Sequence, residues 1–104
     1  MPKKPHVSVA TGTATCSVSP DPCPVGGLFT VTATGVVIVN YLNVFVYDSH
    51  GVNSIACSYD SVAGTVTGSS YASWAGVSSV EVRDYDTQTG SVVIVATGTF
   101  SVAP

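Results

Sequence analysis

Hydrophobic residues recur at every second position in several segments of the chain, and this period restricts the fold more than any other feature. In LFTVTATG (residues 28–35), Phe29, Val31 and Ala33 alternate with threonines. Successive side chains of a β-strand point to opposite faces, so each such segment predicts a strand with one buried face. No segment carries the three- and four-residue spacing of an amphipathic helix. The sequence therefore predicts an all-β fold.

Two segments in the last quarter of the chain predict which side chains face the core. In VEVRDY, Val80 and Val82 are expected to be buried, while Glu81 and Arg83 are exposed. The following segment is expected to place six residues on one face of a strand: Val92, Ile94, Ala96, Gly98, Phe100 and Val102.

The segment VVIVNYLNVFVY (36–47) departs from this alternation. From Val44 to Tyr47 it is apolar at consecutive positions. A strand of this kind is either covered on both faces or has one face against a partner. The sequence leaves both interpretations open.

Turn signals rich in proline and glycine separate the predicted strands, as in PDPCPVGG and DTQTG. Prolines cannot donate to a sheet ladder, so the first group ends the first strand. The predicted strands lie at about residues 6–18, 28–35, 37–47, 53–59, 64–69, 77–85 and 91–103. Short strands at roughly ten-residue spacing predict an antiparallel β-sandwich of about seven strands.

Two stretches resemble immunoglobulin-like domains of bacteria and phages. A Ser-Pro pair, a short proline-containing link, two glycines and TVTATG look like the region that joins their first two strands, and residues 77–102 are similar to their last hairpin. The resemblance covers roughly half the chain and implies an immunoglobulin-like β-sandwich. Ser78 stands where such domains often carry a tyrosine, and Trp74 has no cysteine after it. Neither a tyrosine corner nor the antibody-type core is therefore expected.

Charged residues make up only 9% of the chain, whereas an average globular domain has about 25%. Three basic and six acidic residues give a net charge of −3, which excludes the basic stripe that a nucleic-acid-binding surface needs. The neutral surface, rich in Ser and Thr, favours close contact with another protein because few charges would lose their water.

The length of 104 residues predicts one domain at residues 6–104, preceded by a flexible arm at residues 1–5. The arm carries Lys3 and Lys4, which we expect to tether the protein to a partner; a tail without a role is the alternative. No long apolar stretch follows the lysines, so no secretory signal is predicted if Met1 is the natural start. No segment reaches the roughly 20 apolar residues of a membrane helix.

The three cysteines leave two interpretations open. Cys16 and Cys23 are close enough in sequence to close a small disulfide loop, or all three thiols are free, as is usual in the cytosol. Cys57 alternates with core residues and is predicted to be a buried thiol. Neither the cysteines nor the histidines have the spacing of a zinc site, so no metal is expected.

DYDTQTG (84–90) has acids two residues apart, as calcium loops do, but Val95 stands where their bidentate glutamate should be. A solvated hairpin turn is therefore predicted. No catalytic motif occurs, so we expect neither enzymatic activity nor a cofactor. Tyr41, Tyr71 and Trp74 lie near predicted loops or strand ends and are candidate interface residues; an ordinary rim of the sandwich is the alternative.

These expectations favour a non-enzymatic structural or binding protein. The resemblance implies a phage virion decoration protein, made in the host cytoplasm without a signal peptide and bound in many copies to the major capsid or tail protein. Contacts with other virion proteins and with copies of itself are expected, and contacts with nucleic acid or membranes are not. The alternative is a spacer or carbohydrate-binding immunoglobulin-like module of a secreted bacterial adhesin or glycoside-active enzyme. An engineered scaffold is a third hypothesis.

Overall fold

The computed structural model describes residues 7–9 and 14–104, and ten β-strands make up the regular structure within these ranges. The strands are β1 (Val7–Val9), β2 (Thr15–Ser19), β3 (Cys23–Pro24), β4 (Leu28–Thr34), β5 (Tyr41–Asp48), β6 (Gly51–Ser54), β7 (Cys57–Asp60), β8 (Thr65–Tyr71), β9 (Gly76–Tyr85) and β10 (Val92–Ala103). Among these residues there is no helix that could cross a membrane.

The strands form two sheets that pack face to face. In the six-stranded sheet the order is β1-β10-β9-β5-β6, and β3 pairs with the end of β10. In the four-stranded sheet the order is β2-β4-β8-β7. The described neighbours run antiparallel, except that β1 and β3 run parallel to β10. The predicted β-sandwich is confirmed.

The core lies between the sheets and contains the inward-facing residues of both. Phe29 and Val31 of the four-stranded sheet are buried, and so are Val80 and Val82 of the six-stranded sheet, as their alternation predicts. The rings of Phe29 and Phe100 meet between the sheets with their centroids 4.9 Å apart. The hydrophobic effect of burying these side chains, about 1.5–3 kcal/mol each, holds the two layers together.

The predicted number of about seven strands is too low because two predicted strands are each divided between the sheets, and because the segment predicted as a proline-rich turn contains the short strand β3. The first becomes β1 in the six-stranded sheet and β2 in the four-stranded sheet. The predicted strand at 53–59 becomes β6 and β7, and Ile55 and Ala56 carry the chain from one sheet to the other. Alternation shows which side chains are buried, but it does not show with which sheet a strand pairs.

β5 begins at Tyr41, four residues later than predicted, because a buried carboxylate holds the preceding residues as a loop. Asp84 lies at an inward position of β9 and is buried. Its Oδ2 accepts a hydrogen bond from the backbone N–H of Val39 at 2.8 Å. Its Oδ1 accepts from the N–H groups of Asn40 at 2.9 Å and Tyr41 at 3.1 Å. These N–H groups are therefore not available to a longer strand.

A β-bulge in β10 corrects the predicted orientation of two residues. Ile94 lies opposite Arg83 of β9, whereas Ala96 lies opposite Val82, so Val95 is an extra residue. An extra residue reverses the alternation of the strand on one side of it. Val92 and Ile94 therefore lie on the outer face of the sheet, and the prediction that they share the buried face is wrong.

The sequence left open a Cys16–Cys23 disulfide or three free thiols, and in the structure all three cysteines are free thiols. Cys16 packs against Gly98 of β10, while Cys23 pairs with Val102. These two positions of β10 are about 13 Å apart along the strand, and a disulfide needs Cα atoms closer than about 7 Å. Cys23 is fully buried, whereas Cys57, predicted as the buried thiol, is half-buried.

Candidate functional site

The first candidate surface is the outer face of the six-stranded sheet, which no part of the described chain covers. It carries outward side chains of five strands: Val7 and Val9 of β1, Tyr41, Asn43, Phe45 and Tyr47 of β5, Val52 of β6, Glu81, Arg83 and Tyr85 of β9, and Val92 and Ile94 of β10. We call these residues the outer face. The consecutive apolar positions of β5 thus have one side against the core and the other side open.

The centre of the outer face is a small polar network on an aromatic base. The Nε of Arg83 donates to Oε1 of Glu81 at 3.0 Å, and the hydroxyl of Tyr47 donates to the same oxygen at 2.8 Å. Arg83 also donates to the Tyr47 hydroxyl. The guanidinium group lies over the ring of Phe45, 4.7 Å from its centroid. These contacts fix four side chains in one arrangement.

The network keeps both charges in place at neutral pH. Partial burial raises the pKa of Glu81, but the hydrogen bonds from Arg83 and Tyr47 outweigh it and lower the pKa below its ordinary value. The hydrogen bond to Glu81, together with partial burial, raises the pKa of Tyr47. One negative and one positive charge remain, so the outer face has no net charge.

Beside this network the outer face is slightly concave. A shallow depression of about 260 Å³ is lined by Asn43, Phe45, Arg83, Tyr85 and Val92. Its walls are mostly aromatic or aliphatic, and its polar groups are the amide of Asn43, the guanidinium of Arg83 and the hydroxyl of Tyr85. Such a surface suits contact with a protein side chain.

The second candidate surface is one end of the sandwich, and we call its residues Leu28, His50, Tyr71 and Trp74 the aromatic end. The rings of His50 and Trp74 are stacked, with centroids 3.6 Å apart and planes inclined by 16°. Tyr71 is 68% exposed and Trp74 is 46% exposed. Leu28 lies opposite Tyr71 on the adjacent strand and is also exposed.

Short hydrogen bonds hold the loops of the aromatic end in place. In the turn between β5 and β6, the N–H of His50 donates to Oδ1 of Asp48 at 2.8 Å, and Ser49 Oγ and His50 Nδ1 are hydrogen-bonded at 3.0 Å. After β8, Ala72 exchanges backbone hydrogen bonds with Gly26 and Gly27. The stacked rings therefore rest on two anchored loops.

A cavity of about 40 Å³ lies beneath Tyr71 and Trp74, between the two sheets. Its inner lining includes Phe29, Phe100 and Ser78. A space of this size accommodates a few water molecules and no organic ligand. The binding surface at this end is therefore the exposed rings themselves.

The structure separates the interface residues that the sequence predicts. Tyr71 and Trp74 lie together at the aromatic end, whereas Tyr41 lies on the outer face. Tyr41 and Asp48 are at opposite ends of β5, about 23 Å apart, and the aromatic end begins just after Asp48. Lys3 and Lys4 lie outside the described residues.

Sequence reasoning did not identify His50 or the Tyr47–Glu81–Arg83 network. The stack of His50 on Trp74 joins two loops that are 24 positions apart, and no sequence pattern indicates such a contact. The network had a visible signal, because Glu81 and Arg83 were predicted to be exposed on one face of a strand, next to the two-sided apolar segment of β5.

The acidic segment 84–90 forms a hairpin turn, but its first aspartate is buried. Asp86 accepts hydrogen bonds from the N–H groups of Gln88 and Thr89 at 2.9 and 3.3 Å, which closes the turn. Asp84 points inward and accepts the three N–H groups described above. Among residues 7–9 and 14–104, no three His, Cys, Asp or Glu side chains form a group that could hold a metal ion.

Comparison with known proteins bears on the fold. No protein-family model and no curated protein matches the sequence. The structure is similar to the crystal structure of the Lin-41 filamin domain, with a TM-score of 0.50 and 14% sequence identity, over 85% of this chain and 91% of that one. The predicted immunoglobulin-like class is thus confirmed. The chain folds as an immunoglobulin-like β-sandwich that is similar in fold to that filamin domain.

Proposed function

We propose that the protein is a non-enzymatic structural and binding module, carried in many copies on the surface of a phage particle and attached through its aromatic end. The observation that carries this proposal is the pair of stacked rings of His50 and Trp74, which is exposed at one end of a rigid sandwich. Immunoglobulin-like sandwiches commonly serve as binding or structural units.

The aromatic end has the properties of a binding hot spot. Trp and Tyr contribute more binding energy than other residues at the centre of protein interfaces. Stacking on His50 already restricts the rotamers of Trp74. Ordering a free side chain on binding costs about 0.5–1.5 kcal/mol, and a prearranged Trp74 avoids most of that cost.

The composition supports attachment at high density. With 9% charged residues and a net charge of −3, neighbouring copies on a particle would lose little hydration of charged groups when they pack side by side. The partner in this proposal is the major capsid or tail protein. Lys3 and Lys4 of the N-terminal arm would provide a second, electrostatic contact, which affects the association rate more than the affinity.

Immunogold labelling tests the proposal at the level of location. Antibodies raised against the purified protein are applied to phage particles and to envelope and secreted fractions from cultures of the source strain. We expect regularly spaced label on capsids or tails, with many gold particles on each virion. Label confined to the cell envelope or secreted material would overturn the proposal and favour a spacer or carbohydrate-binding module of a secreted protein.

A further inference from the structure

We infer that the outer face of the six-stranded sheet is a two-fold interface with a second copy of this chain. The inference does not depend on the proposed attachment to a particle, because it concerns a different surface. It rests on three observations: the size of the open apolar area, its zero net charge, and the order of its two charges along β9.

The open area is unusually apolar for a surface that stays in water. Val7, Val9 and Tyr41 are each more than half exposed. Together with Tyr85 and Val92, Tyr41 and Val7 form one continuous row of aromatic and aliphatic side chains across four strands. Monomeric proteins seldom leave a contiguous apolar patch larger than a few hundred Å² without a partner. The patch therefore needs an occupant.

The dimensions of the sheet match a small dimer interface. The five adjacent strands β1, β10, β9, β5 and β6 are 3, 12, 10, 8 and 4 residues long. At about 3.3 Å per residue and 4.8 Å between strands, they cover an area on the order of 550–600 Å². Two copies would together bury on the order of 1,100 Å², which reaches the roughly 1,000 Å² expected of a specific interface. Sheets stack at about 10 Å, a distance that facing tyrosine and arginine side chains can fill.

The order of the charges points to a second copy as the occupant. Glu81 and Arg83 lie on the same face of β9, on either side of Val82. A two-fold axis that lies in the interface plane, perpendicular to β9 and over residue 82, reverses the direction of the facing strand. It thereby places Glu81 of each copy opposite Arg83 of the other. Such self-matching is the property of an isologous interface.

The neutrality of the face permits this contact despite the net negative charge of the chain. The whole chain carries −3, so two copies repel weakly at a distance. The outer face contributes one negative and one positive charge, joined in an ion pair, and adds nothing to that repulsion. Interfaces with like charges facing each other are strongly disfavoured.

The test uses two variants that reverse opposite members of the pair. Glu81→Lys leaves two positive charges on the outer face, and Arg83→Glu leaves two negative charges there. Each variant should repel its own copies, while the two should attract each other. Association is measured by sedimentation velocity from 1 µM to 1 mM, on the wild type, on each variant, and on an equimolar mixture.

We expect the wild type to dimerise within this concentration range and each variant alone to associate at least tenfold more weakly. The equimolar mixture should recover association, and 0.5 M salt should reduce the recovery. The inference would be overturned by a wild type that remains monomeric at 1 mM, or by a mixture that associates no more strongly than either variant alone.

Two further variants guard against misfolding as an explanation. Tyr41→Lys changes an exposed side chain of the outer face and should also weaken association at least tenfold. Thr32→Lys adds the same charge to the outward side of the four-stranded sheet and should leave association unchanged. Thermal melts confirm that each variant is folded, and equal effects of Tyr41→Lys and Thr32→Lys would contradict the interface.

Discussion

At the scale of single residues, the clearest determinant of the fold is a polar one. Asp84 occupies an inward position of β9 that follows Val80 and Val82 in the alternation, and its carboxylate accepts three backbone N–H groups from residues 39–41. The sequence predicts that Asp84 lies in a solvated hairpin turn that also contains Asp86. Its burial could not be predicted, because the groups that satisfy it lie more than 40 positions away.

Replacing Asp84 should destabilise the protein more than replacing an exposed turn aspartate. In Asp84→Ala, three N–H groups lose a charged acceptor, and we expect a loss of about 3 kcal/mol in the free energy of unfolding. Asp60→Ala is the control, because Asp60 accepts hydrogen bonds from two N–H groups in an exposed turn. This substitution should lower the free energy of unfolding by less than about 1 kcal/mol. Urea denaturation measures both, and equal losses would contradict the role of Asp84.

The network on the outer face predicts a dependence of stability on pH. The pKa of Glu81 lies below its ordinary value in the folded protein, so its contribution is present above about pH 4.5 and is lost as the pH falls further. At pH 7 the free energy of unfolding of the wild type should therefore exceed that of Glu81→Gln by up to about 1 kcal/mol. Melting curves should show this difference shrinking below pH 4.5, and a difference that grows on acidification would contradict the assignment.

At the scale of strands, alternation predicted the buried faces of β4 and β9, because these strands have no interruption. It failed in β10, where the bulge at Val95 turns Val92 and Ile94 outward. It also failed to divide the chain between the sheets at Ile55 and Ala56. Bulges and crossings depend on pairing partners that are distant in sequence, so local patterns do not show them.

The approach of β2 to β10 depends on a glycine. A Cβ atom at Gly98 would lie 2.8 Å from the carbonyl oxygen of Cys16 and 3.3 Å from its Sγ. Gly98→Ala must therefore push the two strands apart, at a cost of about 1–3 kcal/mol. Thr97→Ala, at an exposed neighbouring position, should change stability by less than about 0.5 kcal/mol. Chemical denaturation compares the two, and a neutral Gly98→Ala would contradict the close packing of these strands.

At the scale of the whole molecule, the chain is a sandwich with few charged residues and two candidate surfaces that carry exposed aromatic side chains. The sequence predicted the fold class and indicated Tyr41, Tyr71 and Trp74 as candidate interface residues. It could not show that Tyr41 belongs to a different surface from the other two, because that depends on which end of β5 each approaches. In our two proposals, the aromatic end and the outer face bind different partners.

The proposed attachment is tested most directly by the binding of variants to purified particles. Virions without the protein are mixed with wild type, Trp74→Ala or Val62→Ala and pelleted, and bound protein is quantified. Val62 is 97% exposed in a turn outside both surfaces and serves as the control. A central Trp contributes about 2 kcal/mol or more, so Trp74→Ala should bind about 30-fold more weakly than wild type, while Val62→Ala binds equally well. Equal binding of both variants would contradict attachment through the aromatic end.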